Sequence, residues 1–326
     1  MARIFLTRTL PGKAASLLES EGHTVETWPG ELPPPAPDLA AALARSDAAI
    51  TTVVDRITPD MLAAAPGLRI VANMAVGYDN IDPAAAAGLG IWVTNTPGIL
   101  AETTADMAWA LLMAAARRVV ESDRDTRAGG WKTWSPTGYL GIDVYGATLG
   151  IIGLGEIGEA VARRARGFSM RTIYHSRTPK PALEAELGLA RLPLHDLLEQ
   201  ADFISLHVPL TPETRRLLGP AEFARIKPGA ILINTSRGQV IDQDALVAAL
   251  RSGRLRAAAL DVTDPEPLPL EHPLFGFPNV IITPHIASAS EATRARMAEA
   301  AALNVLAVLA DREPPTPVNR PAKPRS

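Results

Sequence analysis

The chain has 326 residues, 47% of them hydrophobic and 21% charged, with no cysteine and a net charge of −3. Disulfides, thiolate metal sites and cysteine nucleophiles are excluded, and the charge balance offers no basic face or stripe for nucleic acid. The length exceeds what one hydrophobic core usually serves, which predicts two domains.

The N-terminal segment MARIFLTRTL holds only a short apolar run, broken by basic residues, and does not read as a secretory leader. No window approaches the roughly 18 uninterrupted apolar residues of a membrane span. These readings predict a cytoplasmic location, with neither membrane nor nucleic acid as a partner.

Short apolar runs then alternate with helical patterns. RIFLTR (3–8), TVETW (24–28), AAITT (48–52), RIVANM (69–74) and IWVTN (91–95) read as strands, with Ala- and Leu-rich helical segments between several of them. The proline-rich LPPPAP (32–37) reads as a loop. The alternation predicts a parallel sheet covered on both faces. AETTADMAWALLMAAARRVV (101–120) reads as one helix, apolar nearly all round. Such a helix must be buried, and a domain hinge or a subunit interface would bury it.

A second series follows: TLGIIG (148–153), RTIYH (171–175), DFISLHV (202–208), AILINT (230–235), AAALDV (257–262) and VIITPH (280–285). Six such strands make a full dinucleotide-binding sheet. SASEATRARMAEAAALNVLAVLADREP (288–314) is the last helical pattern, expected to pack back on the first unit, and the tail PVNRPAKPRS (317–326) is expected to fray. The predicted fold is α/β: two Rossmann-like or flavodoxin-like doubly wound parallel-sheet domains with a cleft between them. Residues 1–98 plus 288–326 form one, and 99–287 the other.

Gly153, Leu154, Gly155, Glu156, Ile157 and Gly158 form a G-x-G-x-x-G loop between a strand and the amphipathic pattern EIGEAVARRARGF (156–168). A glycine cluster alone serves equally well as a plain turn. Between a strand and a helix, it lets a pyrophosphate approach the free N–H groups and positive dipole end of the helix. An NAD site would then place an acid about 20 residues on, to hold the ribose hydroxyls. The chain has IYHSRTPK (173–180) there, with no acid. Ser176 and Thr178 offer hydroxyls and Arg177 a guanidinium suited to a 2′-phosphate. The plainer alternative is that Arg177 is a solvated loop residue. The segment predicts NADP(H) as the preferred cofactor, with NAD(H) possible.

Three further segments end strands of the second series, where ligands bind in open α/β sheets. INTSRG (233–238) carries Arg237, DVTDPEP (261–267) carries Glu266 and TPHIASAS (283–290) carries His285. Taken singly, each has a bland reading as an ion-pair, loop or surface residue. Taken together, they set three polar, chemically capable side chains at strand ends of one sheet.

With NMAVGYDNID (73–82), VTNTPGIL (93–100), IIGLGEIG (151–158), YHSRT (174–178), NTSRG (234–238), DPEP (264–267) and TPHIAS (283–288), the chain resembles the D-isomer-specific 2-hydroxyacid dehydrogenases over nearly its whole length. VGYDNID, NTPGIL and SRT point to the glyoxylate/hydroxypyruvate reductase branch. The resemblance implies NAD(P)H-dependent reduction of glyoxylate to glycolate and of hydroxypyruvate to D-glycerate. It implies His285 as proton donor, Glu266 as stabiliser of its imidazolium and Arg237 as clamp and polariser of the substrate. The N–H groups of Val76 and Gly77 would hold the carboxylate, Val53, Leu100 and Ser288 would line the pocket, and Trp134 would reach into a partner subunit's pocket in a homodimer. Val208, Pro209, Thr214, Thr235, Ser236, Asp261 and Ala287 would contact the cofactor, with Asp261 on the nicotinamide carboxamide.

The remaining histidines, His23, His175, His195, His207 and His272, show no metal-ligand spacing, and no metal is expected. The main alternative is a nucleotide-sensing, corepressor-like binding protein, since such proteins keep the same triad. A phosphoglycerate dehydrogenase is a second alternative, although many carry a regulatory domain for which this chain has no room. The absent ribose acid argues against D-lactate dehydrogenases, and the site composition against formate dehydrogenases.

Overall fold

In a computed structural model, which describes residues 1–325, the chain divides into two units: residues 1–100 with those from Ala289 onward, and Ala101–Ser288. The first holds strands β1 (Arg3–Leu6), β2 (Thr24–Thr27), β3 (Ala48–Thr51), β4 (Ile70–Asn73) and β5 (Trp92–Thr94). They form one parallel sheet in the order β2-β1-β3-β4-β5. Its helices are α1 (Ala14–Ser20), α2 (Ala36–Ala44), α3 (Pro59–Ala63), α4 (Pro83–Gly88) and the C-terminal helix Glu291–Leu309.

Local chemistry sets these starts. Thr58 accepts a hydrogen bond from Met61 N and precedes Pro59, and Asp82 accepts from Ala84 N and Ala85 N and precedes Pro83. Both pairs combine a side-chain cap with a proline that needs no N–H partner. The LPPPAP loop is shorter than the sequence implies, because Ala36 and Pro37 already form the first turn of α2. Strands β3 and β4 are buried along their whole length, as a sheet covered on both faces requires.

The tail does not fray. Val318 N donates to Val93 O, Asn319 accepts from Val93 N and donates to Ile91 O and Pro83 O, and Arg325 donates to Ala65 O and Leu68 O. The physical reason is β5. As an edge strand it leaves N–H and C=O groups needing partners, and the tail supplies them.

The second unit holds β6 (Thr148–Ile152), β7 (Arg171–His175), β8 (Ala190–Arg191), β9 (Phe203–Leu206), β10 (Ala230–Asn234), β11 (Leu255–Leu260) and β12 (Val280–Ile282). All pair in parallel, in the order β12-β11-β10-β9-β6-β7-β8. The strand order reverses between β6 and β9, the switch point where such sheets bind ligands. Strand β8 makes seven strands where the pattern shows six. Two exposed residues cannot display a period.

The helices of this unit are α5 (Ala101–Ala116), α6 (Val119–Arg127), α7 (Glu156–Ala165), α8 (Pro181–Leu187), α9 (Leu194–Gln200), α10 (Pro220–Arg225) and α11 (Gln243–Arg251). The apolar run 101–120 is not one helix. It breaks at Arg118, which is left-handed with φ 54°. The Arg118 guanidinium pairs with Glu121 at 2.6 Å and lies 5.4 Å from the Tyr139 ring centre, which holds the corner.

One face of helix α5 is buried within its own unit. It packs on α7, β10 and β11 of its own unit. Ala105, Ala108, Leu111, Leu112 and Ala116 enter the sheet face, and Trp109 stacks on Phe168 at 4.7 Å. No helix among the described residues is long and apolar enough to cross a membrane.

Candidate active site

Strand β6 runs into the glycine loop, and two of its glycines have steric causes in the fold itself. Gly153 is left-handed with φ +95°, and a Cβ there would lie 2.7 Å from the carbonyl of His207 on the neighbouring strand end. A Cβ on Gly158 would lie 2.1 Å from Gly153 O, so this glycine lets α7 close on the loop. Gly155 differs: a Cβ there meets nothing within 4 Å. It caps α7 with no side-chain hydrogen bond. That opening lies at a helix N-terminus, where free N–H groups and the helix dipole favour an anion.

Across the switch point, Thr235 follows β10 with its hydroxyl oxygen buried and unpartnered. His207 follows β9. Its Nε2 lies 2.8 Å from Ser205 Oγ, its Nδ1 is buried without a partner, and burial lowers its pKa to about 3, so the ring is neutral. Two orphaned buried polar atoms beside an open glycine cradle fit a polar ligand such as a dinucleotide. Pro209 begins a turn closed by Thr214, whose hydroxyl donates to Pro209 O at 2.6 Å and accepts from Thr211 N at 2.8 Å. Thr214 thus shapes the loop that Val208 enters.

At the end of β7, Ser176 is half-buried while Arg177 and Thr178 are exposed. The Ser176 hydroxyl donates to Thr178 O at 2.5 Å, which closes the turn.

The catalytic candidates follow three strand ends, and two of them meet. Glu266 Oε2 lies 2.9 Å from His285 Nδ1, with the two side chains 31% and 30% exposed. Thr263 N donates to Glu266 Oε1 at 3.1 Å. A carboxylate partner puts a hydrogen on Nδ1 and leaves Nε2 for proton transfer.

His285 itself is left-handed, with φ 55°, an unusual conformation for a residue other than glycine. Asp261 explains how it is held. This buried carboxylate accepts from Thr283 Oγ1 at 2.6 Å, Ile286 N at 2.9 Å and Ala287 N at 2.7 Å. It therefore organises the segment that carries His285 and reaches to Ser288.

Arg237 follows β10 and is placed by Asn234, whose amide donates to Arg237 O at 2.9 Å and accepts from Ser236 N and Ser236 Oγ. Next to it, Gly238 backs directly on the Glu266 loop: a Cβ there would lie 2.0 Å from Thr263 O. Gln243 donates to Asp264 O and accepts from Asp264 N, which fastens that loop to α11. Asn234, Thr263, Thr283 and Gln243 are positioning residues that sequence reading passed over. Asn234, Thr263 and Thr283 lie inside the motifs NTSRG, DVTDPEP and TPHIAS, which was the available signal.

Val53, Val76, Gly77 and Leu100 lie in the first unit, on the loops after β3, β4 and β5. A polar relay joins the first two loops. Asp55 Oδ2 accepts from Thr7 Oγ1, Thr52 N and Thr52 Oγ1, the Asn80 amide donates to Thr52 O and Asp55 O, and Asn73 Nδ2 donates to Gly77 O. Trp134 lies on a segment without regular structure and is 79% exposed. Among the described residues no group of three or more His, Asp or Glu side chains could hold a metal ion.

The family profile for the D-isomer specific 2-hydroxyacid dehydrogenase NAD binding domain matches residues 109–287. A glyoxylate reductase from Korarchaeum cryptofilum is 51% identical over 319 residues, 98% of this chain and 96% of that one. A solved protein of Thermus thermophilus superposes with a TM-score of 0.92 at 52% identity, covering 97% of this chain and 99% of its own. An NADPH-dependent glyoxylate/hydroxypyruvate reductase from Sinorhizobium meliloti, solved with NADP and malonate, superposes with a TM-score of 0.85 at 33% identity, covering 99% and 98%. The glycine loop at the switch point, the paired Glu266 and His285 and these full-length likenesses agree, and the chain belongs to the D-isomer-specific 2-hydroxyacid dehydrogenase family, an oxidoreductase that uses a nicotinamide dinucleotide.

Proposed function

We propose that this protein reduces glyoxylate to glycolate and hydroxypyruvate to D-glycerate, with NADPH preferred over NADH. The observation that carries the reading is the Glu266–His285 pair at 2.9 Å, in a chain half identical to a glyoxylate reductase.

The nicotinamide supplies a hydride to the keto carbon when bound. His285 Nε2 gives its proton to the keto oxygen, so the carbonyl becomes a hydroxyl and the imidazole is left neutral. Glu266, paired with His285 Nδ1, orients the ring throughout. Arg237 binds the substrate carboxylate and polarises the carbonyl. The N–H groups of Val76 and Gly77 are a second hold for the carboxylate, with Val53, Leu100 and Ser288 as pocket walls.

For the cofactor, Gly153 to Gly158 take the pyrophosphate. The Val208–Pro209 turn, Thr235, Ser236, Asp261 and Ala287 take the nicotinamide half. Ser176, Arg177 and Thr178 take the adenosine 2′-phosphate. Absence of an acid at 176 supports NADPH, because a carboxylate there would repel that phosphate. The exposed Trp131, Trp134, Leu140 and Tyr145 on one irregular segment support a homodimer, since such aromatic patches anchor interfaces. Sedimentation gives the oligomeric state.

The test is kcat/KM for NADPH against NADH with each keto acid, in wild type and in Ser176→Asp. The expected result is turnover with both acids, a preference for NADPH, and a shift toward NADH in the variant. Turnover with neither acid overturns the substrate reading. An unchanged cofactor ratio in the variant overturns the reading of the SRT turn.

A further inference from the structure

The turn after β7 has a second cation that the glycine-loop pattern does not contain. Arg191, on edge strand β8, donates from Nε and Nη2 to Ser176 O at 3.2 and 2.9 Å, and from Nη2 to Arg177 O at 3.1 Å. One guanidinium therefore braces the backbone of the residues that would face the 2′-phosphate. Its Nη1 group makes no hydrogen bond, and no carboxylate lies within ion-pair distance of Arg191 among the described residues. Arg177 differs, because its charge acts on Glu213, whose carboxyl is held below the usual range by the Thr211 hydroxyl, its own backbone N–H and Arg177. Arg191 thus places a second guanidinium, besides that of Arg177, at this turn. A planar guanidinium can brace two carbonyls from one edge and present its other edge to a phosphate in a fixed plane.

We propose that Arg191 is a specificity-determining residue for the phosphorylated cofactor, positioning the Ser176–Thr178 turn and adding a positive charge to the 2′-phosphate site. The proposal rests on the NADPH reading above.

The experiment is calorimetric titration of the full chain with 2′,5′-ADP and with 5′-AMP, in wild type, Arg191→Ala, Arg191→Gln and Arg191→Lys. Wild type is expected to bind 2′,5′-ADP more tightly than 5′-AMP. Arg191→Ala and Arg191→Gln are expected to weaken 2′,5′-ADP about tenfold while 5′-AMP stays within about twofold, the size of one charge-assisted contact. Arg191→Lys is expected to lie between, keeping charge but losing the two-carbonyl brace. Raising the salt should narrow the wild-type gap between the two nucleotides more than that of Arg191→Ala.

If wild type does not discriminate the two nucleotides, the NADPH reading falls and the proposal with it. If wild type discriminates and the variants discriminate equally, the NADPH reading stands and the role of Arg191 is refuted. Equal weakening of both nucleotides also refutes it, leaving Arg191 a brace of the turn alone.

Discussion

Replacing Asp261 by Asn separates the acid that shapes the site from those that act in it. The Asp261 carboxylate accepts three hydrogen bonds, two on Oδ1 from Thr283 Oγ1 and Ile286 N, and one on Oδ2 from Ala287 N. An asparagine can accept only on one of its two terminal atoms. In the better orientation its NH2 faces Ala287 N–H, donor against donor, and that buried N–H is left unsatisfied. In the other orientation two partners are lost. An unsatisfied buried donor costs about 1–3 kcal/mol, and the remaining bonds lose their charge assistance, about 1 kcal/mol more. The loss should therefore be about 2–4 kcal/mol.

The same segment holds His285 at φ 55°, a conformation that costs about 1–2 kcal/mol for a residue with a Cβ. With the anchor gone the backbone relaxes and the ring shifts. A displacement near 1 Å lowers kcat about a hundredfold. Urea unfolding and steady-state kinetics with glyoxylate check both figures. Wild-type stability with wild-type kcat would refute the argument. Normal kcat with weakened cofactor binding would mean that Asp261 serves the nicotinamide and not the His285 loop.

Glu266→Gln keeps an acceptor for His285 Nδ1 but removes the charge. At about 4 Å and an effective dielectric of about 20, two charges interact by about 4 kcal/mol, and partial exposure of the pair reduces this to about 1–2 kcal/mol. Keto-acid reduction at neutral pH should fall about five- to thirtyfold with NADPH affinity unchanged, and an unaltered rate would show that the charge of Glu266 does no work in the step. His207→Gln tests the buried neutral ring. Burial lowers its pKa from 6.5 to about 3, so the unfolded chain takes up the proton first as pH falls. Stability is whole above about pH 6.5 and lost progressively down to about pH 3, with about 2 kcal/mol gone at pH 5. The variant should lose about that much less than wild type between pH 7.5 and 5 in urea titrations, and an equal loss in both would refute the assignment.

What was legible follows from which partner each residue answers to. Every run read as a strand contains one, and those buried along their whole length, β3, β4, β9 and β10, stand out because a strand covered on both faces must be apolar throughout. Gly153 and Gly158 were legible for a related reason, since each closes on backbone that any such sheet supplies. Strand β12 stops at Ile282, short of the predicted His285, because the chain must leave the sheet to reach the left-handed turn. The break at Arg118, the docked tail and the brace of Arg191 left no trace in the pattern. Arg118 answers to Glu121 and Tyr139 on a segment beyond the helix, Asn319 to backbone groups of an edge strand, and Arg191 to two carbonyls. A carbonyl is present at every residue, so a side chain that binds one requires no particular residue opposite it.

The same asymmetry divides the site. Arg237, Glu266 and His285 are conspicuous because each reaction role demands a residue type. Asn234 and Asp261, which hold the segments carrying Arg237 and His285, bind mainly backbone. The resemblance picked out Asp261 for the carboxamide, but its hold on the His285 segment, like that of Asn234 on Arg237, shows only in the folded chain. Substitutions that spare the triad but strike these two should cost activity through geometry, and a search for function by reactive side chains alone would miss them.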